Sequence, residues 1–523
     1  MTVLARRGVV ATSQPLAAQA GLSMLARGGN ACDAALATAI SLTVLEPTSN
    51  GIGSDAFALL WDGKALYGLN GSGRAPAGTS IEALRTAGYD KIPALGWLPV
   101  TVPGAPAAWR DLHGRFGRLP FAALFEPAIY YAEHGYPVSP QTAASWGRAA
   151  QTYASAAKGP EFAGWAQTFA PGGHAPQAGA LWASPGHALT LRRIAESGGT
   201  DFYEGETARA IASFAAQTGG LITEADLAAH TNSWVTPISV PYRGYEVWEI
   251  PPNGQGITAL IALNILSNFE LREIPRESVE SYHLQIEALK LAYADALAYV
   301  ADPEHVPVPV EELLSVGYAR ERAALIGNDA LMPEAGRPQQ GGTVYLCAAD
   351  GDGMMVSFIQ SNYMGFGSGI VVPGTGIALQ NRGHDFRLDP AHPNSLAPGK
   401  RPYHTIIPGF LTRDGKAAGP FGVMGGYMQP QGHLQMAINM LDYGMNPQTS
   451  LDAPRWQWTS GRQLMLEDNV PRAVIEGLSL RGHDVTVEEP GAAFGRGQII
   501  RRLPDGVMAA GSDKRADGGA VGY

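Results

Sequence analysis

Gly341-Gly342-Thr343-Val344-Tyr345-Leu346-Cys347-Ala348-Ala349-Asp350-Gly351-Asp352-Gly353 reads as a β-strand that opens on a threonine and closes in a tight turn. The turn sends the chain back through Met354 to Asn362, so the two stretches pair as a hairpin. Gln360 and Asn362, two residues apart and therefore on one face, are expected beside Thr343. A threonine hydroxyl is a poor nucleophile, and one recurrent remedy is to cut the preceding peptide bond so that the freed amine acts as its base. Gly342 suits such a cut, because without a Cβ it lets the hydroxyl approach the carbonyl carbon of the bond to be broken. Alone, Gly-Gly-Thr also fits an ordinary loop entering a strand. The rest of the chain decides.

The 523 residues are 45% hydrophobic, enough for a large core. A net charge of -10, without long runs of one sign, argues against nucleic acid and anionic membranes as partners and favours a small molecule. The N-terminus has no apolar signal core and no run is long enough to span a bilayer, so the expected location is the cytoplasm. Cys32 and Cys347 are the only cysteines, and both sit in apolar patterns that suit buried small hydrophobes. Sixty-five glycines cluster in turns instead of low-complexity tracts, which predicts one compact unit.

Helical spacing predicts helices over Leu16–Arg27, Cys32–Leu45, Phe121–Ala132, Glu204–Phe214, Ile257–Phe269 and Glu277–Val300. Another is expected to open at Val102-Pro103-Gly104. Strands are expected at Ala56–Trp61, Ala65–Leu69 and Val240–Ile250. The mixed order of elements predicts an α+β or layered arrangement. The polar stretch Leu331–Gln340 reads as a surface loop suited to processing, with the cut at its end. The glycine-rich turn Ser49–Asp55 lacks a P-loop lysine and reads as structural. The histidines at 384, 392, 404 and 433 lack metal-ligand spacing, and no Gly-x-Ser-x-Gly elbow is present, so neither a metal nor a serine triad is expected.

Val102-Pro103-Gly104, Leu221-Ile222-Thr223-Glu224-Ala225-Asp226-Leu227, Thr236-Pro237-Ile238, Tyr242-Arg243-Gly244-Tyr245, Lys400-Arg401-Pro402, Gly425-Gly426, Ala453-Pro454-Arg455 and Asp517-Gly518 together resemble the γ-glutamyltransferases, a family of self-cleaving N-terminal nucleophile hydrolases. The resemblance implies a four-layer αββα sandwich, cleavage between Gly342 and Thr343, and association of a large chain, 1–342, with a small chain, 343–523, with further dimerisation left open. It also implies that Thr343 forms an acyl-enzyme with an amide, that no cofactor is needed, and that Gly425 and Gly426 hold the oxyanion. Two consecutive amides after the apolar run Phe421–Met424 can aim at one point.

The departures bear on substrate. Where the family has a second threonine orienting the nucleophile, this reading places Gln360, with Asn362 retained two residues on. Where it holds an α-amino group with a glutamate or glutamine and an aspartate, this chain has Arg382 and Asp385. Arg382 would attract a carboxylate or pair with a neighbouring acid. Two carboxylate-gripping serines fall at His404 and Thr405, and the carboxylate-binding arginine falls at Arg74, two residues from its usual spacing. The stretch from Phe386 to Lys400 is short, which implies an open site. The expected function is hydrolysis of a small carboxylate-bearing amide such as oxamate. γ-Glutamyl compounds such as glutathione and the acyl side chains of β-lactam nuclei stay open, as does a non-catalytic binding protein on the same scaffold.

Overall fold

The computed structural model describes residues 1–333 and 342–523. Two seven-stranded antiparallel sheets form its centre. In spatial order, the first holds Val3–Ala5, Met508–Ser512, Arg496–Arg502, Lys416–Met424, Gly409–Arg413, Tyr245–Glu249 and Ile238–Tyr242. The second holds Gly519–Gly522, Gly8–Thr12, Gly342–Asp350, Met355–Tyr363, Asp55–Trp61, Leu66–Gly71 and Ser233–Val235. Each sheet thus mixes strands from before and after Thr343.

Alternation along Gly342–Asp350 builds the layers. Tyr345, Cys347 and Ala349 face inward and pack with Phe57, Ile359, Phe410, Met424 and Ile500 between the two sheets. Val344, Leu346 and Ala348 face outward with Val10, Ala58 and Phe358, under the helices Pro15–Ala26, Ala31–Leu45 and Ala105–Phe116. The outer face of the first sheet, including Val247, Leu411 and Val423, is covered by Gly256–Leu266, Val279–Tyr299 and Gln429–Leu441. The result is the expected αββα sandwich. Ala31–Leu45 is buried along its whole length, which suits its apolar composition and leaves its first amides to a capping box between Asn30 and Asp33.

Two elements differ from the sequence reading. Val240–Ile250 is two strands, because Arg243 and Gly244 adopt φ of 52° and 84°, the pair of positive angles that closes a two-residue hairpin. Phe121–Ala132 begins as a 3₁₀ turn through Phe125 before the α-helix Glu126–His134. The processing stretch falls largely on residues 334–341, outside the described residues. No described helix is long and apolar enough to cross a membrane.

Candidate active site

Thr343 is fully buried and shares its face of the strand with Tyr345, so its side chain lies between the sheets. The hairpin pairs Val344 with Gln360 and Gly342 with Tyr363, with a register shift between them. The regular register on the turn side of that shift sets Ser361 opposite Thr343, and the two hydroxyl oxygens are 3.1 Å apart. Gln429, at the start of the helix Gln429–Leu441, approaches Thr343 Oγ1 with Nε2 at 3.4 Å. Its Oε1 accepts from the Ile407 amide at 2.9 Å, which fixes the amide so that its NH₂ faces the threonine.

The expectation for Gln360 and Asn362 is corrected here. They do share a face, but it is the outward one, since a one-residue slip exchanges faces. Gln360 donates to Asn50 Oδ1 at 2.7 Å and accepts from Trp109 Nε1 at 2.9 Å. Asn362 Oδ1 accepts from Ser54 Oγ at 2.8 Å. Neither is brought to Thr343. Counting back from the turn gives Ser361 once the turn length is known, whereas no sequence signal marks Gln429. Ser361→Ala is expected to lower kcat about three- to tenfold with KM little moved, the size of one neutral hydrogen bond. Steady-state kinetics check it, and Ser361→Thr should restore most of the loss.

Behind Ser361 lies a buried guanidinium. Arg382 is 0% exposed and donates from Nη2 to Ser361 Oγ at 3.2 Å and from Nη1 to Thr405 Oγ1 at 2.6 Å. Tyr363 lies under it, 4.2 Å from guanidinium carbon to ring centre, a cation–π contact strengthened by burial. Tyr363 holds φ at +76°, a conformation costly for an aromatic residue, while donating its hydroxyl to Asp385 Oδ1 at 2.7 Å. Asp385 approaches Arg382 only to 3.9 Å, too far for a hydrogen bond. Among the described residues, Arg382 Nε and Asp385 Oδ2 have no hydrogen-bond partner. Burial raises the Asp385 carboxyl and lowers the Arg382 guanidinium, each opposed by the other's charge. Thr343, Ser361, Arg382, Thr405, Tyr363 and Asp385 therefore form one linked group, with donor and acceptor capacity to spare.

His404 and Arg74 are committed elsewhere. His404 Nε2 lies 3.0 Å from Asp55 Oδ2, and its Nδ1 accepts from the Ile406 amide at 3.3 Å, so Nε2 carries the proton. Burial, then the charges of Arg382 and Arg401, hold its pKa well below the ordinary value, and its ring packs on Phe57. These contacts give it a bridging role in place of contact with Thr343. Arg74 pairs with Glu304 at 2.9 Å and with Asp302 at 3.8 Å, and donates to the Gly399 carbonyl at 3.3 Å. It is half-buried in an acidic cluster that it shares with Arg401, and no contact among the described residues joins it to Thr343 or Arg382. The two acids draw it there.

Asp55 carries a pH dependence. Burial raises its pKa from 3.8 to about 7, against the lowering effects of Arg382 and the Gly73 and Gly104 amides. Between these two values the folded chain keeps a proton that the unfolded chain has released. This contribution favours folding at low pH and is lost as pH rises through about 7. Asp55→Asn removes the titration and keeps an oxygen for the two amides. Its melting temperature relative to wild type is expected to be more favourable at pH 8 than at pH 5, which a thermal scan at the two pH values reads directly.

Gly425 and Gly426 follow the strand Lys416–Met424 with φ of 133° and 60°, a turn that side-chain-bearing residues rarely make. None of the hydrogen bonds among the described residues takes up either amide. A cleft of about 580 Å³ opens beside Gly425, bounded by Met364 and Asn381 on one side and by the helix Pro140–Ala156 on the other.

One cluster with metal-ligating side chains lies apart from this site: His283, Glu287 and His483. Lys290 Nζ sits 2.7 Å from Glu287 Oε1 and balances that carboxylate. His283 donates from Nε2 to the Gly327 carbonyl at 2.9 Å, which leaves its Nδ1 to accept from His483 Nε2 at 3.0 Å. Glu287 accepts from the Leu331 amide and Lys290 donates to the Leu331 carbonyl. The cluster fastens residues 327–331, just ahead of the undescribed stretch.

The family model described as Gamma-glutamyltranspeptidase matches residues 17–523. The chain is 38% identical to the glutathione hydrolase-like YwrD proenzyme of Bacillus subtilis (strain 168), over 100% of this chain and 99% of that one. It is 35% identical to the oxamate amidohydrolase proenzyme of Klebsiella pneumoniae, over 99% and 98%. Among solved structures, the cephalosporin acylase from Bacillus halodurans superposes with a TM-score of 0.97 at 57% identity, over 100% of this chain and 97% of that one. Agreement of this extent, with a matching fold and no part of the chain left out, means that the chain belongs to the gamma-glutamyltranspeptidase family.

Proposed function

We propose that the protein is a self-processing amide hydrolase in which Thr343 is the nucleophile in two successive reactions. In the first, Thr343 Oγ1 attacks the Gly342 carbonyl carbon, the C–N bond to Thr343 breaks, and water releases the resulting ester. This gives chains 1–342 and 343–523. They stay together because the strand headed by Thr343 is hydrogen-bonded between Gly8–Thr12 and Met355–Tyr363. In the second, the freed α-amine takes the hydroxyl proton while Oγ1 attacks the substrate amide carbonyl. An α-amine has an ordinary pKa of about 7.7 to 8.0, poised for this exchange near neutral pH.

The amides of Gly425 and Gly426 would receive the oxyanion of the tetrahedral intermediate, each contributing about 3 kcal/mol to its stabilisation. Collapse expels the amine, which leaves with a proton from the Thr343 ammonium group, and water then attacks the acyl-enzyme. Arg382, one hydroxyl removed from Thr343, is assigned to a carboxylate on the acyl half of the substrate. Asp385 and Tyr363 hold that guanidinium in place.

The observation that carries this reading is the 3.1 Å contact between Thr343 Oγ1 and Ser361 Oγ, with the Arg382 guanidinium on the far side of the same serine. The test is release of amine from oxamate, glutathione and a glutaryl amide assayed in parallel with the mature protein. Turnover of at least one, abolished by Thr343→Ala, supports the reading. No release from any of the three, by a protein that binds them, would make it a binding protein on this scaffold.

A further inference from the structure

We infer that Gln429 is a further catalytic residue: its side-chain NH₂ donates to Thr343 Oγ1 and steadies that oxygen when it gives up its proton and again when it leaves the acyl carbon. This rests on Thr343 as the nucleophile, proposed above, and adds what governs its hydroxyl.

The two side chains at Thr343 Oγ1 are alike in what they withhold. Gln429 is fully buried, and its Oε1 is taken by the Ile407 amide at 2.9 Å. What it turns to Oγ1, 3.4 Å away, is a donor that cannot accept. Ser361 Oγ, 3.1 Å from Oγ1, accepts from the Tyr363 amide at 2.8 Å and from Arg382 Nη2 at 3.2 Å. Those two bonds use both lone pairs of a hydroxyl oxygen. Neither neighbour can take the Thr343 hydrogen, which leaves it for the α-amine of the cut chain. The Gln429 contact is long at rest, and such bonds tighten as charge builds on the acceptor.

Gln429 arrives on a braced turn. From Gly425 the chain makes the 3₁₀ turn Gly426–Met428 and enters the helix Gln429–Leu441. Gln255 Nε2 donates to the Gly426 carbonyl at 3.0 Å and to the Thr405 carbonyl at 2.6 Å, and the Tyr293 hydroxyl donates to the Tyr427 carbonyl. One turn, held by two side chains from ahead of Thr343, therefore carries both the glycine amides and the donor to the attacking oxygen. In attack the O–H bond breaks, the proton passes to the α-amine, and the electron pair forms the bond from Oγ1 to the carbonyl carbon. In deacylation water attacks as the amine takes its proton, the bond from Oγ1 to carbon breaks, the pair returns to Oγ1, and the α-ammonium gives Oγ1 a proton. Oγ1 carries part of a negative charge in both transition states, where a fixed N–H donor lowers the barrier.

The test is Gln429→Glu, which keeps the oxygen that the Ile407 amide needs and puts a second oxygen in place of the NH₂. Ionised, that oxygen only accepts and competes with the α-amine for the threonine proton. Protonated, it donates as the amide does. Self-cleavage of fresh precursor on denaturing gels, and hydrolysis of glutaryl-4-nitroanilide by the cut protein, are timed from pH 5 to 9 well below the melting temperature. The variant is expected to be about tenfold slower than wild type at pH 8, the size of one hydrogen bond, with the ratio of variant to wild type climbing as pH falls and the carboxyl takes up its proton. Equal rates throughout, or one constant factor at every pH as a merely structural role predicts, overturn the inference. If the glutamate variant does not melt cooperatively, Gln429→Met decides: a kcat about tenfold down with KM unmoved supports the role of the donor, and an unchanged kcat overturns it. If the wild type leaves the anilide intact, the self-cleavage rates decide in the same way. Thr343→Ala tests the reading beneath: a variant that still cuts itself and turns over the anilide removes Thr343 as nucleophile and the role of Gln429 with it, whereas an inert one leaves Thr343 in place whatever Gln429 shows.

Discussion

Replacing Thr343 with alanine is expected to leave a single 523-residue chain on a denaturing gel, where the wild type gives two bands whose smaller member begins at Thr343 on N-terminal sequencing. Amide turnover should fall by roughly 10⁴-fold or more, as when other acyl-transfer enzymes lose their nucleophile. The substitution removes one hydroxyl and one methyl from a buried position, so the fold should survive and a thermal scan should still show a cooperative transition. Thr343→Ser keeps an attacking oxygen and should still cut itself, more slowly, because serine has more rotamers to lose than a β-branched residue. The pair of variants separates self-cleavage from digestion by a contaminating protease. A protease acting on the stretch ahead of residue 342 would cut Thr343→Ala as readily as wild type, and the small chain would begin at some other residue. An uncut but fully active wild type would end the mechanism proposed here.

The layers of the fold were legible because their signals are local. The 3.6-residue spacing of Leu16–Arg27 and Cys32–Leu45, and the alternation after Thr343, each report which side of an element is buried. The elements found, Pro15–Ala26, Ala31–Leu45 and Gly342–Asp350, lie within a residue or two of those expectations. What the sequence could not carry was the geometry between elements. The hairpin register, which opposes Val344 to Gln360, decides that Ser361 rather than Gln360 meets the nucleophile, and that register depends on how many residues the turn takes up. Gln429 is 86 residues from Thr343 and arrives because one helix begins where a strand from the other sheet ends. Arg74 shows the same limit from the other direction. Its motif neighbours suggested a ligand, but acids at 302 and 304 hold it, and only the assembled fold shows that competition. Arg382 was legible as an unusual charge, although its contacts with Ser361 and Thr405 were not.

Arg382→Gln should separate two jobs that the contacts give this residue. If the guanidinium binds a carboxylate on the acyl half, kcat/KM for a glutaryl amide should fall about 10²-fold, in line with loss of a buried charge-assisted pair, while the matching valeryl amide loses far less. If its only task is to hold Ser361 through the 3.2 Å bond, both substrates should slow by the same factor, and Ser361→Ala should show that factor too. Lysine at 382 keeps the charge without the planar fork, so Arg382→Lys should retain part of the selectivity and little of the rate. Stability must be read alongside. Glutamine leaves Asp385 buried without its nearby cation, a change that raises the carboxyl further and favours its protonated form. Because Asp385 also accepts from Tyr363 and Tyr427, protonation would trade one acceptor role for a donor and let the pocket persist. The melting temperature should therefore drop while the two chains remain associated, and the ratio of glutaryl to valeryl turnover stays a valid measure. Equal slowing of the two amides would remove the carboxylate from the proposed substrate and leave Arg382 as support for the hydroxyl next to Thr343.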